Sequence, residues 1–292
     1  MIGYLFALAS SIFFSLYIVP RKLSKLSPMI FSFFMSVGFF ISSVALLIIQ
    51  LFMQFNEKSS PVLFFTVLAG LIWATSIVLF VSSIDKIGLS RSNQWKNLQG
   101  PIGVFLSLII LKEFTKTNPF FALIAALSIF CSAVFFTISD KNKDKDRHKG
   151  IYLALLSAVG FGVVSIIQKY VTTTVGIYLQ QVIWSLSILV SLLIFIMLFK
   201  KIGQLIQTAK KEIFLGLGAG LLYFGASLFQ LLSYNFLVNS ISFTIIQMNA
   251  LWTIGIGILI FKEIDLKKYY RNVLLGLFFT LFGIIFLLLA KK

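Results

Sequence analysis

The chain has 292 residues, 59% of them hydrophobic, and phenylalanine alone counts 33. Apolar content at that level excludes a soluble globular domain and places the chain among all-α integral membrane proteins. The formal net charge is +16, but the lysines and arginines sit almost wholly between apolar runs, where they orient the chain and meet lipid headgroups; no nucleic-acid partner is expected.

A membrane span needs about 20 apolar residues. On that template ten spans follow in chain order, near 2–20, 29–53, 62–84, 91–111, 119–139, 150–169, 176–199, 213–235, 241–261 and 272–290. Pro28, Pro61 and Pro119 open the second, third and fifth, where a missing N–H costs least, and Pro20 closes the first. Short connections make consecutive helices neighbours. The first run starts at Ile2 without a basic stretch before it, so no cleavable signal peptide is apparent. The single cysteine, Cys131, lies in an apolar run and can form no internal disulfide.

The fourth span differs from the rest. From Asn93 to Gln99 it packs four amides, one ammonium and one indole into seven residues, and then continues through Gly100-Pro101-Ile102-Gly103 into an apolar segment ending at Lys112-Glu113. Polar groups in lipid are costly unless paired, and they normally face a protein-lined or wet cavity. The stretch is therefore expected to wall a solute pathway.

It also has a counterpart. Residues 70–114 lie without a gap on 220–264: Gly70-Leu71 on Gly220-Leu221, Trp73 on Tyr223, Asn97 on Gln247, Gln99 on Asn249 and Lys112-Glu113 on Lys262-Glu263. Gly3, Ala7, Ser10, Phe14 and Lys22 meet identical residues at Gly150, Ala154, Ser157, Phe161 and Lys169. A duplicated unit accounts for this: residues 1–139 form a first five-helix repeat, 150–292 a second, and the hydrophilic run 140–149 a solvated linker between them. Of the 25 lysines and arginines, 18 fall in the loops after odd-numbered spans and six on the opposite side, with Lys96 inside a span. That bias predicts a cytoplasmic linker and both termini outside. Five spans per repeat is an odd number, so the two repeats are expected to be inverted in the membrane, an arrangement shared by many secondary carriers.

What is absent narrows the chemistry. The nine carboxylates all fall in loops or at span ends, and the one histidine, His148, is in the linker. No catalytic triad, phosphate loop or metal-ligand spacing is present, so neither an enzyme nor a metal or other cofactor is expected. A carrier of organic cations would need a buried carboxylate as counter-charge. The spans carry neutral polarity beside aromatic rings instead. Asn93, Asn97 and Gly100 share a helical face, with Lys96 beside them. Lys96 either lines the pathway or snorkels to the nearer surface. Span nine offers Gln247, Asn249 and Trp252, the last two on one face, and spans three and eight offer Trp73, Tyr223 and Gln230. An amide donates and accepts, which suits hydroxyls, and aromatic rings suit the C–H face of a sugar. The candidate substrate-binding set is Trp73, Asn93, Lys96, Asn97, Gln99, Tyr223, Gln230, Gln247, Asn249 and Trp252, for a small neutral polar solute moved by alternating access. Gly216, Gly218, Gly220 and Gly225 are expected as close-packing positions between helices.

Ten spans in two halves, with Lys-Glu closing spans four and nine, resemble the drug/metabolite transporter superfamily. Gly70-Leu71-Ile72-Trp73, Ile87-Gly88-Leu89, Gln247 and Phe261-Lys262-Glu263 resemble the glucose/ribose porter group of bacterial sugar transporters within it. The resemblance implies a monomeric or weakly dimeric carrier in the cell membrane that imports a monosaccharide, with membrane lipids as its surroundings. Proton coupling, common in that group, has no intramembrane acid here to carry it. Three other readings stay open on these residues: an amino-acid or metabolite exporter of the same fold, a lipid-linked sugar flippase or its subunit, and a non-transporting membrane interaction protein.

Overall fold

A computed structural model describes residues 1–52, 58–112, 118–138, 146–263 and 266–290. Glu113, the linker residues 140–145 and the C-terminal Lys291-Lys292 lie outside the described residues. Among the described residues every regular element is a helix. The first part of the chain forms α1 (Ile2–Leu16), the short α2 (Val19–Leu23), α3 (Pro28–Phe52), α4 (Leu63–Ile87), α5 (Leu89–Lys96), α6 (Gln99–Ile110) and α7 (Pro119–Ile138). The second part forms α8 (Arg147–Thr172), α9 (Ile177–Leu198), the short α10 (Ile202–Ile206), α11 (Lys210–Phe236), α12 (Asn239–Ile246), α13 (Asn249–Leu259) and α14 (Leu266–Leu289).

Among the described residues, nine helical segments are long and apolar enough to cross a membrane. They match nine of the ten expected spans. The fourth does not qualify, because its run of amides with Lys96 makes it too polar; it is also two helices: α5 ends at Lys96, Asn97 and Leu98 form a turn, and α6 restarts at Gln99. Pro101 contributes, since it has no N–H for the Asn97 carbonyl. That carbonyl accepts from Gly100 N instead, at 3.0 Å. Span nine breaks at the matching place, between α12 and α13, without a proline, so proline assists the break but is not required for it. The same bounds thus recur 150 residues apart, Leu89–Lys96 beside Asn239–Ile246. Lys112 and Lys262, mates in the sequence match, both take the left-handed backbone, with φ of 53° and 51°.

The chain packs as two compact units. One comprises residues 1–78 and 167–236, the other 79–166 and 237–292. Each draws helices from both sequence halves. In the first, α11 packs on α1 and α3, and α3 also packs on α9. In the second, α14 packs on α7, and α5 on α13 and α7. Small residues permit the closest approaches. A Cβ at Gly220 would stand 2.1 Å from the Met35 carbonyl oxygen and 2.6 Å from Phe39 N, and one at Gly216 would stand 2.4 Å from Phe34 Cβ. Gly225 is packed against the Phe13 ring, but Gly218 has nothing within 4 Å and is not a packing position.

This contrast is testable by thermal melting in detergent. Gly220→Ala meets backbone that cannot yield cheaply and should destabilise by ~1–3 kcal/mol. Gly218→Ala should be neutral or stabilising by up to ~1 kcal/mol, through helix propensity alone.

Candidate functional site

The corner that sets up the broken helices begins at Gly88. It is the single residue between α4 and α5, with φ of 83°, a conformation that favours glycine. The Glu263 side chain, just beyond α13, accepts from Leu89 N and Ser90 N at 2.8 Å each, so a carboxylate from the end of span nine satisfies the first N–H groups of α5. Anionic charge is also favoured at that helix end by the dipole. Gly257 makes room for this corner: a Cβ there would stand 1.9 Å from Ser90 Oγ. At the other end of α5, Gln94 Nε2 donates to Ser132 Oγ of α7 at 2.6 Å and to Thr280 Oγ1 of α14 at 3.2 Å.

Between these anchors the two breaks meet. Asn97 Nδ2 donates to the Gln247 carbonyl oxygen at 3.2 Å, Gln99 Nε2 donates to Gln247 Oε1 at 3.2 Å, and Asn93 Nδ2 donates to Asn249 Oδ1 at 3.4 Å. Asn249 Nδ2 donates to the Ile246 carbonyl oxygen at 2.7 Å. All five side chains are buried. Gly100 lets the breaks close up, since a Cβ there would stand 2.7 Å from Gln247 Cγ. Asn93, Asn97 and Gly100 therefore turn towards α12 and α13 together, as their spacing predicts, although a turn separates Gly100 from the other two. Two atoms at this crossing, Asn97 Oδ1 and Gln247 Nε2, are buried without a hydrogen-bond partner among the described residues.

Lys96 does not snorkel. It is 3% exposed, with Nζ 5.0 Å from the Phe80 ring centroid and 5.7 Å from that of Phe161. These two rings were not in the expected site, and only the matched Phe161 carried a sequence signal.

Three further candidates lie in the first unit. Trp73 and Tyr223 are buried with centroids 4.7 Å apart, in an aromatic cluster with Tyr17, Phe39 and Trp184. Gln230 Nε2 donates to Tyr234 Oη at 2.6 Å. Trp252 is not gathered with any of these. It is 43% exposed, whereas Asn249 is buried. An i, i+3 pair is offset by about 60° around the helix axis, enough to carry Trp252 onto the outer face of α13.

A multi-pass helical membrane protein whose polar side chains gather at paired helix breaks is, by class, a solute carrier. The sequence model described as "Sugar transport protein" matches residues 46–290, and the chain belongs to that family. A protein of Enterococcus faecalis (strain ATCC 700802 / V583) bearing the name "Putative sugar uptake protein" is 28% identical over 255 residues, 79% of this chain and 83% of that one. A protein of known crystal structure aligns over 99% of this chain and 96% of its own with a TM-score of 0.64 at 12% identity, a likeness of fold alone.

The corner at α5 yields a prediction. Glu263→Ala strips two N–H groups of their acceptor and should destabilise the protein by ~1–2 kcal/mol, read as a lower melting temperature in detergent. Glu263→Gln keeps one acceptor oxygen and should fall between that variant and the native protein.

Proposed function

We propose that this protein carries a monosaccharide across the cell membrane by alternating access, using two five-helix halves, residues 1–139 and 150–292, of inverted topology. The observation that carries the reading is the paired helix break, Asn97-Leu98 against Gln247-Met248, within a chain of the sugar transport family. Backbone angles support the duplication: Asn97 has φ −66° and ψ −12°, Gln247 φ −64° and ψ −11°. Discontinuous helices in repeated halves are a recurring way to build a solute site at membrane depth.

In this reading Asn93, Asn97, Gln99, Gln247 and Asn249 bind sugar hydroxyls. An amide can accept from an O–H and donate to the same oxygen's lone pairs. Trp73 and Tyr223 offer rings suited to the C–H face of a sugar, and Gln230 a further hydroxyl partner. The bias of basic residues supports a cytoplasmic linker and external termini. The carrier acts as a monomer or weak homodimer. The name of the Enterococcus relative points towards uptake.

Uptake of radiolabelled monosaccharides into proteoliposomes tests the site. Asn97→Leu and Gln247→Leu should each lower the initial rate at least about tenfold, because the hydroxyl or the remaining amide is left unpaired. Reconstituted protein should be equal by immunoblot. Native rates in both variants would remove these amides from the site.

A further inference from the structure

We propose that the solute is a sugar acid, a monosaccharide carrying one carboxylate, and that Lys96 is the residue that holds the carboxylate. The inference rests on the sugar-carrier reading and narrows its substrate class.

Lys96 is the last residue of α5, beside the break. Its ammonium is buried, and among the described residues it has no hydrogen bond and no ion pair; its neighbours are the Phe80 and Phe161 rings. Ring faces offset only part of the desolvation of a cation. Among the described residues no carboxylate is placed to supply the rest. Glu263 is committed to Leu89 N and Ser90 N, about 9–10.5 Å back along the helix at 1.5 Å per residue. Asp85 is exposed, and Asp146 pairs with Lys86 at 2.5 Å. A buried cation without a partner is among the costlier features a membrane protein can retain, and a bound anion removes that cost.

The break that follows Lys96 in the chain supplies polar groups for the remainder of the ligand. Asn97 Oδ1 can accept from a hydroxyl and Gln247 Nε2 can donate to one, and both are otherwise unpaired among the described residues. Carboxylate to ammonium, with hydroxyls to the amide pair, uses all three groups. A phosphate ester fits less well, because it carries a charge of about −1.5 to −2 at neutral pH against one ammonium. An amino acid would bring an ammonium of its own, and no span offers it an acid. The neutral solute expected from sequence rested on the missing acids and on the amides and rings; it included Lys96 in the binding set but gave its charge nothing to meet.

Binding of glucose, galactose and mannose, each against its own uronate and its 6-phosphate, tests this with the full-length protein in nanodiscs at pH 7. Titration calorimetry should show at least one uronate binding about tenfold or more tighter than its parent sugar. Lys96→Gln should abolish that preference, with its ligand-free melting confirming the fold. If the variant does not fold, the ranking in the native protein still decides. Parent sugars binding as tightly as their uronates would overturn the assignment and leave the sugar-carrier reading standing. Phosphates binding tightest would overturn the carboxylate, and no binding by any of the nine would overturn both readings.

Discussion

The structure turns on one constraint: a polar group buried at membrane depth must find its partner inside the protein. At the crossing of the two helix breaks that requirement is met only in part. Each break gives up i→i−4 bonds, and each recovers part of the loss through tighter bonds, such as Gly100 N to the Asn97 carbonyl and Ala250 N to that of Gln247. The Asn97 side chain then satisfies the Gln247 carbonyl freed by the other break. Yet the account does not favour stability. Interhelical polar contacts in membranes return ~0.6 kcal/mol each, whereas a buried donor or acceptor without a partner costs ~1–3 kcal/mol. Asn97 Oδ1 and Gln247 Nε2 are two such atoms. Apolar side chains at these positions would give a more stable helix pair, which is the cost that the proposed hydroxyl-binding role would offset.

A crossing of this kind needs fixed ends. Glu263 and Gly88 set the start of α5, and Gln94 ties the same helix to Ser132 and Thr280, whose hydroxyls lie 2.6 Å apart. Ser132 Oγ donates on to the Gly276 carbonyl at 2.7 Å, and Gly276 itself is where α14 comes against the Phe136 ring. Gln94 is thus spent on structure, although it stands in the same polar run as Asn93 and Asn97. Composition alone does not mark Gln94 as an anchoring amide; the neighbouring helices do.

Much of this was legible in the sequence, and the reasons are specific. Element bounds 150 residues apart follow from the gapless match of 70–114 on 220–264, because both copies keep the same small, amide and aromatic positions. The inward turn of Asn93 and Asn97 follows from i, i+4 spacing. The breaks themselves were not legible. Pro101 is a signal in the first copy, but Leu251 stands at its place in the second, and there the break depends on tertiary contacts. Trp252 illustrates the same limit, since helical spacing places a side chain to within a fraction of a turn and the surrounding helices decide which edge is buried. The choice between snorkelling and burial for Lys96 required the two phenylalanines, which come from α4 and α8.

The division of the chain by sequence and by packing differ for a physical reason. Burial of apolar surface is indifferent to chain order, so a helix packs where its surface fits. α11, from the second half, carries Gly216 and Gly220, which fit the backbone of α3 from the first, and Ser10 of α1 donates to the Ala226 carbonyl at 2.8 Å. α14 presents Gly276 and Gly283 to α7 in the same manner. α4 and α8 each begin in one unit and end in the other without leaving the helix. The small-residue faces of α11 and α14 are thus buried against helices from the other part of the sequence. The glycine-lined contacts therefore lie within each compact unit and join helices from both parts of the sequence.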